Sequence, residues 1–334
     1  MPDILTHIAY ADEVLAHLED RQLREQIEKR IELFRFGAQG PDFFFYHNFF
    51  KFKKDNVNAA GNLMHEIKTG EFLKFFFDTF LMGETEHTAY YDLISYYLGF
   101  VCHYVLDKTA HPFIYCYSGY NFSKGREKGL YSAVHKRMEN RIDVYVWQEK
   151  KHMKACKERV HQLINIKKGL PCYVINNLHK TITQIYNIDI SAKDIETSYF
   201  HMVKGLKLLY DPLGIKKILI RALELVKGEK FDTGKPLYLF DIEESRKYLN
   251  LKKNLWMHPL NTAITYNASF IDLYDLAVKE GTDMIAEIIK QLYKKTQMDM
   301  NILGNRSYLT NFIWSSKENQ VCAESEGILS HSIT

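Results

Sequence analysis

The chain has 334 residues, 46% of them hydrophobic and 25% charged, with a net charge of +3 and a pI near 8.3. That balance excludes a disordered chain, and so mild a positive charge does not by itself point to nucleic acid. No run approaches the roughly 18 apolar residues that a membrane span needs.

The first residues, MPDILTHIAYADEVL, carry acids early and lack a basic region followed by an apolar stretch, so they do not read as a secretory signal. The cysteines, Cys102, Cys116, Cys156, Cys172 and Cys322, are scattered, odd in number and never in a CxxC pair. A disulfide framework and a thiolate zinc site are both disfavoured, and the expected compartment is the reducing cytoplasm.

Helical periodicity then dominates. Residues 11–36 repeat apolar side chains every three or four positions, with Asp20 able to start a second helix inside the stretch. The run FGAQGPDF (36–43) breaks the pattern with two glycines and a proline. Helices are expected over 62–82 and 88–110, the second stopped by Pro112. A polar turn with Gly119, Gly125 and Gly129 follows, and the helical pattern resumes over 130–165. Further helices are expected near 172–187, 191–210, 213–227, 241–253 and 264–297. KPLYLF (235–240) is the best strand candidate. No internal repeat is visible, and the tail from 315 loses periodicity. The expectation is an all-α protein forming one domain over 1–314, with a core at 1–165, added helices at 166–314 and a flexible tail at 315–334.

The segment CHYVLDKTAHP (102–112) carries the chemistry. His103, Asp107 and His111 stand four residues apart, and each such step turns a helix by only about 40° beyond a full circle, so the three share one face. Imidazole nitrogen and carboxylate oxygen suit a borderline divalent ion such as zinc. Fourteen histidines in 334 residues give about 0.6 His pairs at any one fixed spacing by chance, so the pair alone says little. The intervening aspartate lowers that expectation to about 0.03, which makes the run informative.

Other candidates are weaker singly. His135 and Glu139 in HKRMEN are again four apart, a pattern common on solvated helix faces. Asp42 follows a Gly-Pro break, where an aspartate usually caps a turn. His65 lies on a largely apolar helical face, and His7 stands near the N-terminus. FFFYHNFFKFKK (43–54) mixes aromatics and lysines, fit for a lipid interface, for base stacking or for plain core packing beside a basic loop.

Taken in order, the N-terminal His, GxxGPD, the helical His, HYxxDxxxHP and HxxxE resemble the zinc-dependent phospholipase C family, over roughly residues 1–145. LWMHP (255–259) is similar to related bacterial members, with no chemistry attached. The resemblance implies an all-α fold shared with S1/P1-type nucleases and two to three zinc ions. Asp42, His65, His103 and Asp107 would hold one, and His111, His135 and Glu139 a second. His7, the N-terminal amine and a bridging oxygen of Asp107 would hold the third. The gap between Asp107 and His111 is shorter than in secreted members. In the implied reaction, clustered zinc ions generate hydroxide near neutral pH, and Asp42 could also take a proton from water. The expected function is phospholipase C-type hydrolysis of a phospholipid or other phosphodiester, with peripheral membrane contact. The alternatives are an S1/P1-like nuclease, which would bind nucleic acid, and a non-catalytic helical binding protein that keeps the motif.

Overall fold

A computed structural model describes residues 3–49, 56–83, 87–119, 130–216, 218, 242–314 and 321–322. The architecture is all-α. Helix α1 (Ile4–Ala16) begins earlier than the periodicity indicates, because the Asp3 side chain accepts from the Ile4 N–H and caps the first turn. The stretch expected as 11–36 is divided between α1, α2 (Arg21–Glu28) and α3 (Ile31–Gly37). Asp20 does start α2, its Oδ1 accepting from the Leu23 N–H at 2.9 Å.

After α3 the chain turns at Gly40 into a 3-10 helix, Gly40–Tyr46. The single helix expected over 62–82 is two, α4 (Asn56–Glu66) and α5 (Thr69–Phe76), the latter running into one π turn, Phe77–Leu81. Lys68, left-handed at φ 52°, separates them, and a lysine there gives no sequence cue.

Helix α6 (His87–Ser118) is the central rod, and it corrects the expectation that Pro112 ends a helix. Proline costs a helix interior about 3 kcal/mol through the missing N–H and the clash with an earlier carbonyl. Here tertiary packing outweighs that cost. Ala110, Phe113 and Ile114 are fully buried, and Phe113 packs edge-on against Trp256 and tilted against Phe270.

Helix α7 (Leu130–Lys151) ends well before 165; a short 3-10 turn and α8 (Val160–Leu163) complete that span. Helices α9 (Cys172–Tyr186) and α10 (Ala192–Leu209) lie close to their expected bounds. The expected strand at 235–240 and nearly all of the expected helix at 213–227 lie outside the described residues. Helix α11 (Ile242–Arg246) is shorter than 241–253. Strands β1 (Trp256–Met257) and β2 (Thr265–Tyr266) pair antiparallel where only helix was expected for the second. Helix α12 (Phe270–Lys294) carries a full capping box, Ser269 with Asp272. A short α13 (Met300–Leu303) and β3 (Ile313–Trp314) follow, β3 pairing with β4 (Val321–Cys322), the one described piece of the tail. None of the four cysteines with a described side chain is in a disulfide.

One contiguous apolar core runs from Ile4 to Tyr308, with α6 packed against α1, α3, α7 and α12. The α3–α6 crossing is unusually tight. A Cβ on Gly37 would stand 2.3 Å from the Tyr96 carbonyl oxygen, and one on Gly99 2.1 Å from that of Phe34. Glycine on both sides lets the backbones touch, which carries the end of α3 to the middle of α6. No described helix is long and apolar enough to cross a membrane.

Candidate metal centre

The four-residue ladder on α6 puts His103, Asp107 and His111 into the core, at 0%, 0% and 1% exposure. The other elements converge on that face. Helix α1 brings His7, whose Nε2 stands 3.2 Å from Asp107 Oδ1 and whose ring stacks on His103 at 4.4 Å. The 3-10 helix brings Asp42 and α4 brings His65, with His65 Nε2 3.1 Å from Asp42 Oδ1 and 3.9 Å from Asp107 Oδ2. His103 Nε2 is 3.2 Å from Asp107 Oδ2, and His111 Nδ1 is 3.6 Å from that same oxygen. Helix α7 supplies His135 and Glu139, joined at 2.7 Å, with the His135 ring stacked 6.0 Å from His111.

All eight residues singled out in the sequence therefore stand together. Their ligand atoms form three groups, each within 4.8 Å: His7, His103 and Asp107; Asp42, His65 and His103; His111, His135 and Glu139. Asp107 turns one oxygen to His7 and the other to His103, His65 and His111, the disposition of a carboxylate between two cations. The N-terminal amine lies outside the described residues.

Backbone carbonyls, invisible to sequence reasoning, fix the rings. His65 Nδ1 donates to Gly61 O at 2.6 Å, His103 Nδ1 to Ala38 O at 3.1 Å and His111 Nδ1 to Tyr308 O at 2.9 Å. A carbonyl only accepts, so each Nδ1 carries the proton and each Nε2 keeps a lone pair. This is the outer-sphere arrangement that orients metal-binding histidines. Any residue has a carbonyl, so no sequence signal marks these three. Asp143, a turn beyond Glu139 and fully buried, also escapes notice, although its four-residue spacing continues the His135–Glu139 ladder. His258 of LWMHP is not among the ligand groups; it is buried with Nε2 2.9 Å from the Thr310 carbonyl and stacks on Phe312.

Six polar atoms of the cluster are buried without a hydrogen-bond partner: both ring nitrogens of His7, His103 Nε2, both oxygens of Asp107 and Asp42 Oδ1. Each such atom costs about 1–3 kcal/mol when left unsatisfied. Six in one place make a donor set of lone pairs facing one another, and divalent cations satisfy them together. The residues fit zinc, with imidazole and carboxylate ligands only.

Electrostatics agree. Burial pushes the Asp107 carboxyl up, but the imidazoles of His103, His111 and His7 beside it outweigh that and hold it well below the ordinary carboxylate range. Burial opposes the ionisation of Glu139 as well, and the groups around it, His135 with its hydrogen bond and the Lys136 ammonium among them, again win. Burial pushes the His111 imidazole well down and lowers His135 too, so both are neutral at pH 7 with a lone pair to give. Three carboxylates around two or three dications would leave a positive centre, suited to an anionic substrate.

Fold and cluster together define an all-α protein with a buried cluster of side chains that could hold metal ions. The chain belongs to the zinc-dependent phospholipase C family: the family model described as zinc dependent phospholipase C matches residues 6–195, more than half of the chain, and spans all eight residues. No curated protein and no solved structure matches it.

Proposed function

We propose that this chain hydrolyses the phosphodiester of a phospholipid, using two to three zinc ions held by His7, Asp42, His65, His103, Asp107, His111, His135 and Glu139. The six unpartnered, buried ligand atoms carry this reading, and the family supplies the lipid class of substrate. When bound, zinc supplies Lewis acidity toward the phosphate oxygens and lowers the pKa of water to about 7.

The protein's own groups divide the remaining work. Asp107, fully buried and turned to both sides, holds neighbouring ligand groups at a fixed separation. Asp42 stands at the edge, its side chain 12% exposed, and is the cluster carboxylate that water and substrate reach beside His65. It acts as the general base, holding at its carboxylate the proton of the attacking water. Water oxygen bonds to phosphorus, the bond from phosphorus to the glycerol oxygen breaks, and that oxygen leaves with a proton. Phe45, 37% exposed and stacked on His65 at 5.6 Å, gives the mouth an apolar wall for a lipid.

The test is hydrolysis of phosphatidylcholine to diacylglycerol and phosphocholine by zinc-reconstituted protein, with single-stranded DNA in parallel and metal content by elemental analysis. Release of phosphocholine, abolished by a chelator and restored by zinc, is expected. Less than one bound ion per chain after reconstitution would sink the metal reading. Cleavage of DNA without cleavage of lipid would move the substrate class to the nuclease.

A further inference from the structure

The face of α7 that carries His135 and Glu139 continues one step further. Asp143 follows Glu139 at the same four-residue spacing, is 0% exposed, and has no place in any ligand group. Its carboxylate instead receives the start of α1. Oδ2 accepts from the Leu5 N–H at 2.8 Å, and Oδ1 accepts from the Thr6 N–H at 2.9 Å and from the Thr6 hydroxyl at 2.6 Å.

The first N–H groups of a helix have no partner within it, and α1 begins in a fully buried setting. Asp3 takes the Ile4 N–H, so Asp143 completes the first turn from another helix. An ionised carboxylate is the strongest acceptor for that place, since it also meets the positive end of the helix dipole. The next residue is His7. Its ring has no hydrogen-bond partner of its own, unlike His65, His103 and His111 with their carbonyls. No backbone carbonyl holds the His7 ring as one holds each of those three, so its approach to Asp107 Oδ1, at 3.2 Å, depends on where the first turn of α1 is held.

We infer that Asp143 is the positioning residue for His7: by clamping the first turn of α1 onto α7, it sets the imidazole against Asp107 and builds the ligand group of His7, His103 and Asp107. The inference rests on the zinc reading for its metal readout. Helix α7 then has two jobs from one face, with His135 and Glu139 presented to one ligand group and Asp143 spanning to another. Loss of the partners that orient metal ligands typically weakens metal binding by roughly 10–100-fold.

The experiment compares wild type, Asp143→Ala, the milder Thr6→Val, His7→Ala and the Asp143→Ala/His7→Ala pair. Zinc affinities come from titration of metal-free protein, and amide hydrogen exchange and the His7 ring NMR signal are read in metal-free protein. Asp143→Ala should weaken the weakest zinc by roughly 10–100-fold and leave the others. It should speed exchange at the Leu5 and Thr6 amides and shift the His7 ring signal. Thr6→Val, which keeps both N–H contacts, should give a smaller change of the same kind. In the His7→Ala background Asp143→Ala should cost no further zinc, because the two act through one ligand. Additive losses, equal loss at all ions, or an unmoved His7 signal with full zinc would overturn the inference. Wild type that binds no zinc overturns the metal reading, and the clamp is then decided by the exchange and NMR arms alone. If Asp143→Ala does not fold, Thr6→Val decides: unchanged exchange and an unchanged His7 signal refute the clamp.

Discussion

Gly40→Ala should remove metal without touching a ligand. Gly40 adopts φ 50°, and a Cβ there would stand 2.1 Å from His103 Cδ2, 2.4 Å from Cγ and 2.7 Å from Nε2. Carbon atoms pack at about 3.5–4.0 Å, so the ring would have to retreat by about 1.4 Å. It has nowhere to go: His103 is 0% exposed, held by Ala38 O and stacked on His7. Zinc–nitrogen distances tolerate about 0.2 Å, so a shift of that size takes His103 out of coordination. Overpacking costs about 1–3 kcal/mol, and the left-handed backbone about 1–2 kcal/mol more for alanine. The variant should lose about 2–5 kcal/mol in metal-free chemical denaturation. It should also lose zinc from the two groups that share His103, while the group of His111, His135 and Glu139 keeps its ion. Gly281→Ala is the control; its Cβ would stand 2.3 Å from the Tyr10 hydroxyl oxygen, and its three nearest atoms belong to Tyr10 and Val14 rather than to a ligand. A Gly40→Ala protein that folds with full zinc and wild-type stability would refute the reasoning.

Two further outcomes follow from the same geometry. Asp107→Asn should lose more metal and more lipid hydrolysis than Glu139→Gln, because Asp107 serves two sides of the cluster and Glu139 one; equal retention by elemental analysis would show that Asp107 is not shared. In metal-free protein, burial lowers His111 and His135 below the ordinary imidazole value of 6.5, so the unfolded chain takes up protons first as pH falls. Stability should therefore be full above about pH 6.5 and decline as pH drops below it, with a second decline below the ordinary carboxylate range as Asp107 and Glu139 follow the same sign. Thermal melts with chelator that stay flat between pH 7 and 5.5 would contradict the first step.

Spacing made much of the cluster legible in the sequence. Four-residue steps on α6 and α7 dictate a shared face whatever the rest of the chain does, and the Gly-Pro-Asp run marks a sharp turn by chemistry alone. Other features resist such reading. Pro112 is a helix breaker by local rules, and only the burial of Phe113 against Trp256 and Phe270 keeps α6 intact through it. Lys68 divides α4 from α5 in a left-handed conformation that its side chain does not announce. The pairing of Trp256–Met257 with Thr265–Tyr266 is two residues deep, too short for a period to register. Asp143 could have been found by extending the HxxxE spacing one step, but two of its partners are backbone N–H groups of α1, and those have no sequence signature.

The segment after α13 shows why the centre needs chain beyond the family-matched residues 6–195. The Tyr308 carbonyl accepts from the His111 Nδ1–H, and the Tyr308 N–H donates to the His65 carbonyl at 2.8 Å, so one buried residue braces candidate ligands from α6 and α4. Its own place is secured from several sides. Thr69 Oγ1 donates to Arg306 O, the Gly70 N–H donates to Asn305 Oδ1, and Tyr104 OH donates to Leu303 O. His258, beside β1, holds Thr310 O from the far side. A carbonyl can set the tautomer of a metal-facing imidazole only if it cannot swing away, and these ties remove that freedom. The motif residues thus form the proposed ligand set, while a segment more than a hundred residues past the end of the family match holds one of their rings in register.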